Sequence, residues 1–264
     1  MSRSGIYKKR KKTQREEIAK EQEIINCFKK NKGRSGRKRI KRELANNGII
    51  VSESKIARVL RENGLIALGG RRQKRKKQEK PTEAQYIEEN LIKNKIEIRT
   101  ANYLWCSDIK EFKYKQGKMY VCGIIDVGTR RIVGWEISKH QTQEIVQKAF
   151  MMAVGRNPKR QDNAVYHSDR GCQYTAKRTK ELVEKYGFRK SMSRPGTPND
   201  NQPIESFWHT VSVELPDVRK LNYEQAKRAI VEYIEMYYNS SRLHSGINYN
   251  IPNNFFSLQC VYFS

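Results

Sequence analysis

Between residues 103 and 138 the chain makes three strand-forming runs in series, YLWCSDIKEFKY, KMYVCGIIDV and RRIVGWEIS, parted only by Gly117 and by Gly128-Thr129. Turns that short force each strand back beside its predecessor, so the runs predict an antiparallel meander. Helical spacing over 142–154 comes next, then a short strand, NAVYHS, ending at Asp169. Residues 175–186 read as helix and GFRKSMS as a further short strand. A helix is expected over 203–214 and another over 222–239, the latter with Ala226, Ile230, Ile234 and Tyr237 on one stripe. An antiparallel meander followed by alternating helices and strands predicts a mixed α/β sheet with flanking helices.

The region before the meander is different. Residues 14–30 carry Ile18, Ile24, Ile25 and Phe28 at helical spacing, and a Gly/Arg turn follows. Ile40 and Leu44 mark a second helix, broken at Asn47-Gly48. Ser52 is a suitable N-cap for a third helix carrying Ile56, Val59 and Leu60, which Asn63-Gly64 ends. Two short helices joined by a glycine turn read as a helix-turn-helix over 33–66, or as a plain helical hairpin with a solvated basic face. On the first reading Arg34, Arg37, Lys38, Arg39, Lys55 and Arg58 are candidate DNA contacts. The parts expected are a basic N-terminal helix (1–32), the helix-turn-helix segment (33–66), a basic linker (67–100) and an α/β core with a C-terminal helix and tail (101–264).

Charge decides the class of partner. The chain of 264 residues has a formal net charge of +26. Residues 1–80 hold 27 lysines and arginines against 8 acidic residues, a net +19, and the other residues carry +7. Such a field calls for a polyanion, and nucleic acid is the ordinary one. The linker run GRRQKRKK, with Arg71, Arg72 and Lys74, suits either solvent or a line of phosphates. Five cysteines without a CxxC pair argue against a disulfide framework or a zinc site. No apolar run approaches the ~18 residues a membrane helix needs, so a cytoplasmic location is expected.

Within this basic chain a few carboxylates sit where they are costly. Asp108 lies in mid-strand beside Trp105-Cys106 and Ile109. Asp169 follows the end of a strand, where open α/β sheets bind ligands. Glu205 enters on the first helical turn after the loop SRPGTPNDNQP. Asp126, also at a strand end, reads as a turn former. Two strand aspartates and a glutamate make an all-oxygen donor set, suited to Mg²⁺ or Mn²⁺. Two such ions can activate an oxygen nucleophile and stabilise the leaving oxygen of a phosphodiester.

Five segments, YLWCSDIKEF, GKMYVCGIIDVGTRRIVGW, HSDRGCQYT, SMSRPGTPNDNQPIESFW and YNSSRLHSGINYNIPNNF, occur in this order. Together they resemble the catalytic protein (OrfB type) of bacterial insertion-sequence transposases, which has a retroviral-integrase-like core. The 35 residues between Asp169 and Glu205 match the D-x35-E spacing of that group. The resemblance implies an RNase H-like fold and a DDE triad of Asp108, Asp169 and Glu205 holding two Mg²⁺ ions, for which Mn²⁺ can substitute. Asp108 would bridge both ions, Asp169 would ligate one and Glu205 the other. It further implies cleavage at the element's ends by water, then strand transfer by the freed 3′-hydroxyl. The implied partners are double-stranded DNA, both terminal inverted repeats and target, and a homo-oligomer on it. An upstream helix-turn-helix and leucine-zipper protein, or a frameshift fusion to it, is also implied, as is a place at the bacterial nucleoid.

Other matched positions take lesser roles. His167 and Arg170, which flank Asp169, would orient the loop, contact phosphate or have simple structural roles; Asn199, Asp200 and Asn201 would shape the loop or contact the DNA backbone, and Arg194 is a further candidate DNA contact. Arg242 and His244 would reach DNA or fix the C-terminal tail. Trp105 and Trp208 are expected in the core. Relatives carry lysines four and seven residues after the catalytic glutamate, and here those positions are His209 and Ser212. With His209 as the remaining contact, DNA binding at the ends would be weaker. The alternative reading is thus a catalytically weak or inactive DNA-binding derivative that regulates transposition.

Overall fold

The computed structural model describes residues 3–70, 89–92, 100–158, 161–194 and 201–262, and the chain forms two units, Met1–Lys76 and Lys77–Ser264. In the first unit, α1 (Arg3–Lys30), α2 (Arg37–Asn46) and α3 (Glu53–Glu62) pack around Ile24, Phe28, Ile40, Leu44, Ile56, Val59 and Leu60. The expected apolar positions are therefore core, apart from Ile18, which is exposed, and Ile25, which is partly buried. Ser52 caps α3, its hydroxyl accepting from the Lys55 amide at 3.2 Å. Gly48 ends α2 at a φ of 77°, and the Ile49 amide donates back to the Leu44 carbonyl at 2.9 Å. That is the closure only a residue tolerant of left-handed backbone makes cheaply.

The second unit contains β1 (Leu104–Tyr114), β2 (Gly117–Asp126), β3 (Ile132–Ser138), α4 (Gln143–Arg156), β4 (Val165–Ser168), α5 (Cys172–Thr175) and α6 (Lys177–Lys185). It continues with β5 (Arg189–Met192), α7 (Gln202–Glu214), α8 (Tyr223–Glu232) and α9 (Pro252–Tyr262). The meander β1-β2-β3 is antiparallel, and β4 and β5 join it in parallel, giving the order β3-β2-β1-β4-β5. This mixed sheet with flanking helices is the RNase H-like arrangement that the resemblance implies.

Both faces of the sheet are covered because side chains alternate across it. One face sets Leu104, Cys106, Val121, Ile125 and Val165 against Ile204, Phe207, Trp208 and Val211 of α7 and Ile230 of α8. The other sets Trp105, Cys122, Ile124 and Tyr166 against Ile145, Ala149, Phe150 and Ala153 of α4. Both tryptophans expected in the core are there. Asp126 is fully buried as a turn former, accepting from the Thr129 hydroxyl at 2.5 Å and the Asn102 amide at 3.2 Å.

Two helices differ from the sequence expectation. The single helix over 175–186 is divided, because Ala176 takes an extended conformation (ψ 133°) between α5 and α6. The helix over 222–239 widens into a π turn at Tyr233–Tyr238. The extra residue per turn rotates Tyr238, rather than Tyr237, into the buried stripe. It also delivers Asn239 to the edge strand, where its amide bonds both the N–H and the carbonyl of Ile132 at 2.9 Å.

Arg242 is held inside the protein. It is 8 % exposed, and its Nε donates to Glu214 Oε2 at 2.9 Å and its second guanidinium nitrogen to Oε1 at 3.0 Å. The Tyr233 hydroxyl donates to the same carboxylate at 2.9 Å. A guanidinium committed to a buried carboxylate fixes the chain after the π turn to the end of α7, the second of the two roles expected of Arg242. Removing one partner strands the other charge, so Arg242→Leu should cost about 3–5 kcal/mol in urea unfolding, whereas Lys118→Ala, which breaks an exposed pair with Glu111, should cost less than about 1 kcal/mol.

Candidate active site

The parallel register places the first two carboxylates. β1 and β4 pair from Leu104↔Val165 to Ser107↔Ser168, so Asp108 and Asp169 follow at the same level on neighbouring strands. By alternation they fall on the face that α7 covers. Asp108 Oδ1 accepts from the Ile109 amide at 2.8 Å, and Asp169 Oδ1 from the Gly171 amide at 3.0 Å.

The third carboxylate depends on how closely α7 approaches. Asp108 pairs across to Gly123 on β2. A Cβ at Gly123 would lie 2.8 Å from Trp208 Cζ2 and 3.6 Å from Ile204 Cδ1. The missing side chain is therefore the space in which α7 rests, next to Asp108. Glu205 stands between Ile204 and Trp208 on that helix, half-buried. At the start of α7, Asn201 Nδ2 donates to the Ser107 carbonyl at 3.0 Å.

The three carboxylates influence one another's ionisation. Burial pushes the Asp108 carboxyl up to about 7, with the charges of Asp169 and Glu205 adding to it. Loss of hydration raises Asp169. Glu205 is raised by burial and by the charge of Asp169. Among the described residues no three of His, Cys, Asp and Glu close around a single point as one ligand cluster. The arrangement is instead a crowded set of carboxylates whose mutual repulsion a cation would relieve. The donors are all hard oxygens, which fits Mg²⁺ or Mn²⁺.

The neighbouring residues brace this site. His167 is fully buried, with Nδ1 2.9 Å from Ser191 Oγ and Nε2 3.0 Å from Ser193 Oγ, so it pins β4 to β5. Arg170, a candidate phosphate contact, donates from Nε to the Ser193 carbonyl at 2.7 Å and holds the turn that carries Asp169. Asn201, also a candidate DNA contact, is 4 % exposed and faces the sheet instead. His244 shapes its own turn, its Nδ1 accepting from the Gly246 amide at 3.0 Å.

Other candidates lie at the surface. His209 and Ser212 are exposed on α7, and the Ser212 hydroxyl turns back to the Trp208 carbonyl at 2.8 Å. Arg194 is exposed just before the active loop. In the first unit Arg37 and Lys38 are exposed on α2, and Arg39 donates to the Arg34 carbonyl at 2.9 Å. Lys55 bonds Glu17, and Arg58 pairs with Glu21 at 2.8 Å, so these two α3 candidates are already matched by α1. Asn199, Asp200, Arg71, Arg72 and Lys74 lie outside the described residues.

Sequence reasoning missed Gly123, Glu214 and the Ser191/Ser193 pair. A glycine inside an apolar strand is a readable sign of close approach. Nothing local marks the other three.

Residues 99–198 and 186–252 match models of the integrase core domain, and residues 13–76 match a helix-turn-helix-like domain. The chain is 33% identical, over 95% of its length and 98% of the relative's, to the transposase for insertion sequence element IS904 of Lactococcus lactis. It is 30% identical to the transposase InsF for insertion sequence IS3A of Escherichia coli, over 84% of this chain and 76% of that one. Among solved structures it is similar to the HTLV-2 integrase catalytic core domain in complex with magnesium, with 18% identity and a TM-score of 0.42 over 60% of this chain and 97% of that one.

Two measurements check the site's construction. Gly123→Ala should displace Trp208, shift its fluorescence and cost about 1–3 kcal/mol of stability. Asp108 holds its proton more tightly folded than unfolded, so folding takes up a proton between about pH 4 and pH 7. Its contribution to stability is full below that window and is lost as pH rises through 7. Asp108→Asn should flatten this part of the pH dependence in urea titrations.

Proposed function

Since this chain belongs to the insertion-sequence transposases with an integrase core domain, we propose that it cuts DNA at the ends of its element and joins the freed ends to a target, using Asp108, Asp169 and Glu205 as a DDE triad. The observation that carries this reading is the convergence of three mutually repelling carboxylates on one face of the sheet, in a chain of net charge +26.

Asp108 and Asp169, side by side on parallel strands, and Glu205, brought down by α7, would hold two divalent cations. All three would supply carboxylate oxygens to them. When bound, such ions lower the pKa of an attacking water or 3′-hydroxyl and stabilise the departing oxygen. The protein's own part is positional. Its carboxylates are fixed before DNA arrives by the β1–β4 register, by the His167 and Arg170 braces and by the seat of α7 on Gly123. Positioning of this kind converts an encounter of three parties into an effectively unimolecular step. On this reading no covalent link forms between the protein and DNA. Water is the nucleophile for cleavage and the 3′-hydroxyl for transfer.

DNA binding is assigned to the first unit and to the basic surface of the core. In a helix-turn-helix the first helix crosses the phosphate backbone, and α2 presents Arg37, Lys38 and Arg42 outward. Assembly as a homo-oligomer follows from the need to hold two ends at once.

The exposure of His209 and Ser212, beside Glu205 on α7, favours the second reading of a DNA-binding derivative with weak or no catalysis. Both readings meet the same experiment, in which the purified chain is incubated with a labelled element-end duplex and Mg²⁺, Mn²⁺ or EDTA. Metal-dependent nicked and joined products are expected. Asp108→Ala, Asp169→Ala and Glu205→Ala should each reduce them to the EDTA level. Retention of products in all three variants overturns the triad, and salt-dependent binding without product under either metal selects the regulator.

A further inference from the structure

Asn201 stands four residues before Glu205, and its hydrogen-bond partner stands one residue before Asp108. Its Nδ2 donates to the Ser107 carbonyl at 3.0 Å, joining positions 94 residues apart in sequence. Ser107 is also the last residue that β1 pairs with β4. At the level where that ladder ends, the helix carrying the third carboxylate is tied to the strand carrying the first. We propose that Asn201 is a positioning residue for the reaction, a latch that sets Glu205 against Asp108. This rests on the DDE reading given above.

Other roles for this side chain fit poorly. Asn201 occupies the N-cap position of α7, yet its side chain makes no capping bond to the helix. Capping is the usual reason for asparagine there, and it is not what this one does. A direct DNA contact is excluded by its 4 % exposure. Simple packing would favour an apolar group, because Oδ1 is buried and has no hydrogen-bond partner among the described residues. A stranded acceptor is costly, so what favours asparagine over an apolar side chain here is the bond its amide N–H makes.

The chemistry of the position narrows the choice to asparagine. Aspartate has no donor for a carbonyl and would add a fourth negative charge beside the triad. Serine is a good N-cap but is too short to replace the amide. Glutamine adds a methylene in a closed space. Ser107 is held from the other side of the sheet as well, its hydroxyl 3.0 Å from the Tyr174 hydroxyl. The carbonyl that the latch grips is therefore on a fixed strand, and the movable partner is α7. At its far end α7 is anchored by Glu214 and Arg242, so loss of the latch frees the first turn and leaves the rest in place.

The test compares Asn201→Ser and Asn201→Ala with the wild-type full-length chain. Single-turnover nicking of the element-end duplex at saturating DNA should fall about 10–100-fold in both, the scale of a misplacement of about 1 Å. Duplex affinity should be unchanged and the melting temperature held within about 3 °C. Amide exchange at Ser206, Phe207 and Trp208 should be about tenfold faster, with Val211 and Ser212 unchanged. Because serine preserves the cap, a capping role predicts normal Asn201→Ser protein and overturns the latch. Wild-type nicking rates in either variant overturn it too, as does a fall in rate, affinity and melting temperature in step. If the wild-type chain itself cuts nothing under either metal, the DDE reading fails separately. Exchange in α7 then decides the latch alone, and unaltered exchange at Ser206–Trp208 overturns it.

Discussion

Helix α7 must come within van der Waals contact of the β1–β2 ladder, and much of the second unit serves that approach. Gly123 vacates the space, and Ile204 and Trp208 fill it. Glu205, between them in sequence, is carried to the sheet by the packing of its apolar neighbours. The carboxylate therefore needs no partner of its own to bring it there. Burial of Ile204, Phe207, Trp208 and Val211 against the sheet supplies the driving force, at roughly 1.5–3 kcal/mol per fully buried side chain. The buried Glu214–Arg242 pair then fixes the distal end of the same helix.

What this packing assembles is electrostatically unfavourable by itself. Asp108 is raised by burial and by two neighbouring charges, and Glu205 by burial and by Asp169. Structures keep such arrangements where something else repays the strain, and a site that collects divalent cations is one such place. The braces around the site are uncharged or internally satisfied. His167 sits between two serine hydroxyls, and Arg170 is bonded to a backbone carbonyl. Neither brace places an opposite charge against the carboxylates by these bonds.

The first unit divides its charge differently. Lys55 and Arg58 on α3 meet Glu17 and Glu21 on α1, so that interface is nearly neutral. Arg37, Lys38 and Arg42 on α2 have no ion pair among the described residues and face solvent.

The alternation of apolar residues from Leu104 to Ser138, with glycine turns between, is enough to read the meander, and helical spacing reads most helices. The site carboxylates were legible because a mid-strand Asp108, a strand-end Asp169 and a helix-start Glu205 are each out of place in an ordinary core. The Asp169–Glu205 spacing added the family resemblance. Local pattern could not show the π turn that exchanges Tyr237 for Tyr238, nor the extended Ala176 between α5 and α6. It left the roles of Arg242 and Asn201 open, since an arginine or asparagine reads as surface until its partner is known. Those partners, Glu214 and the Ser107 carbonyl, lie 28 and 94 residues away. By itself the sequence determined the elements, the charge and the reactive groups, because these depend on residue type and near-neighbour spacing. The tertiary structure alone decided the β1–β4 register, the seat of α7 on Gly123 and which polar groups are internal, because each depends on which distant segments meet.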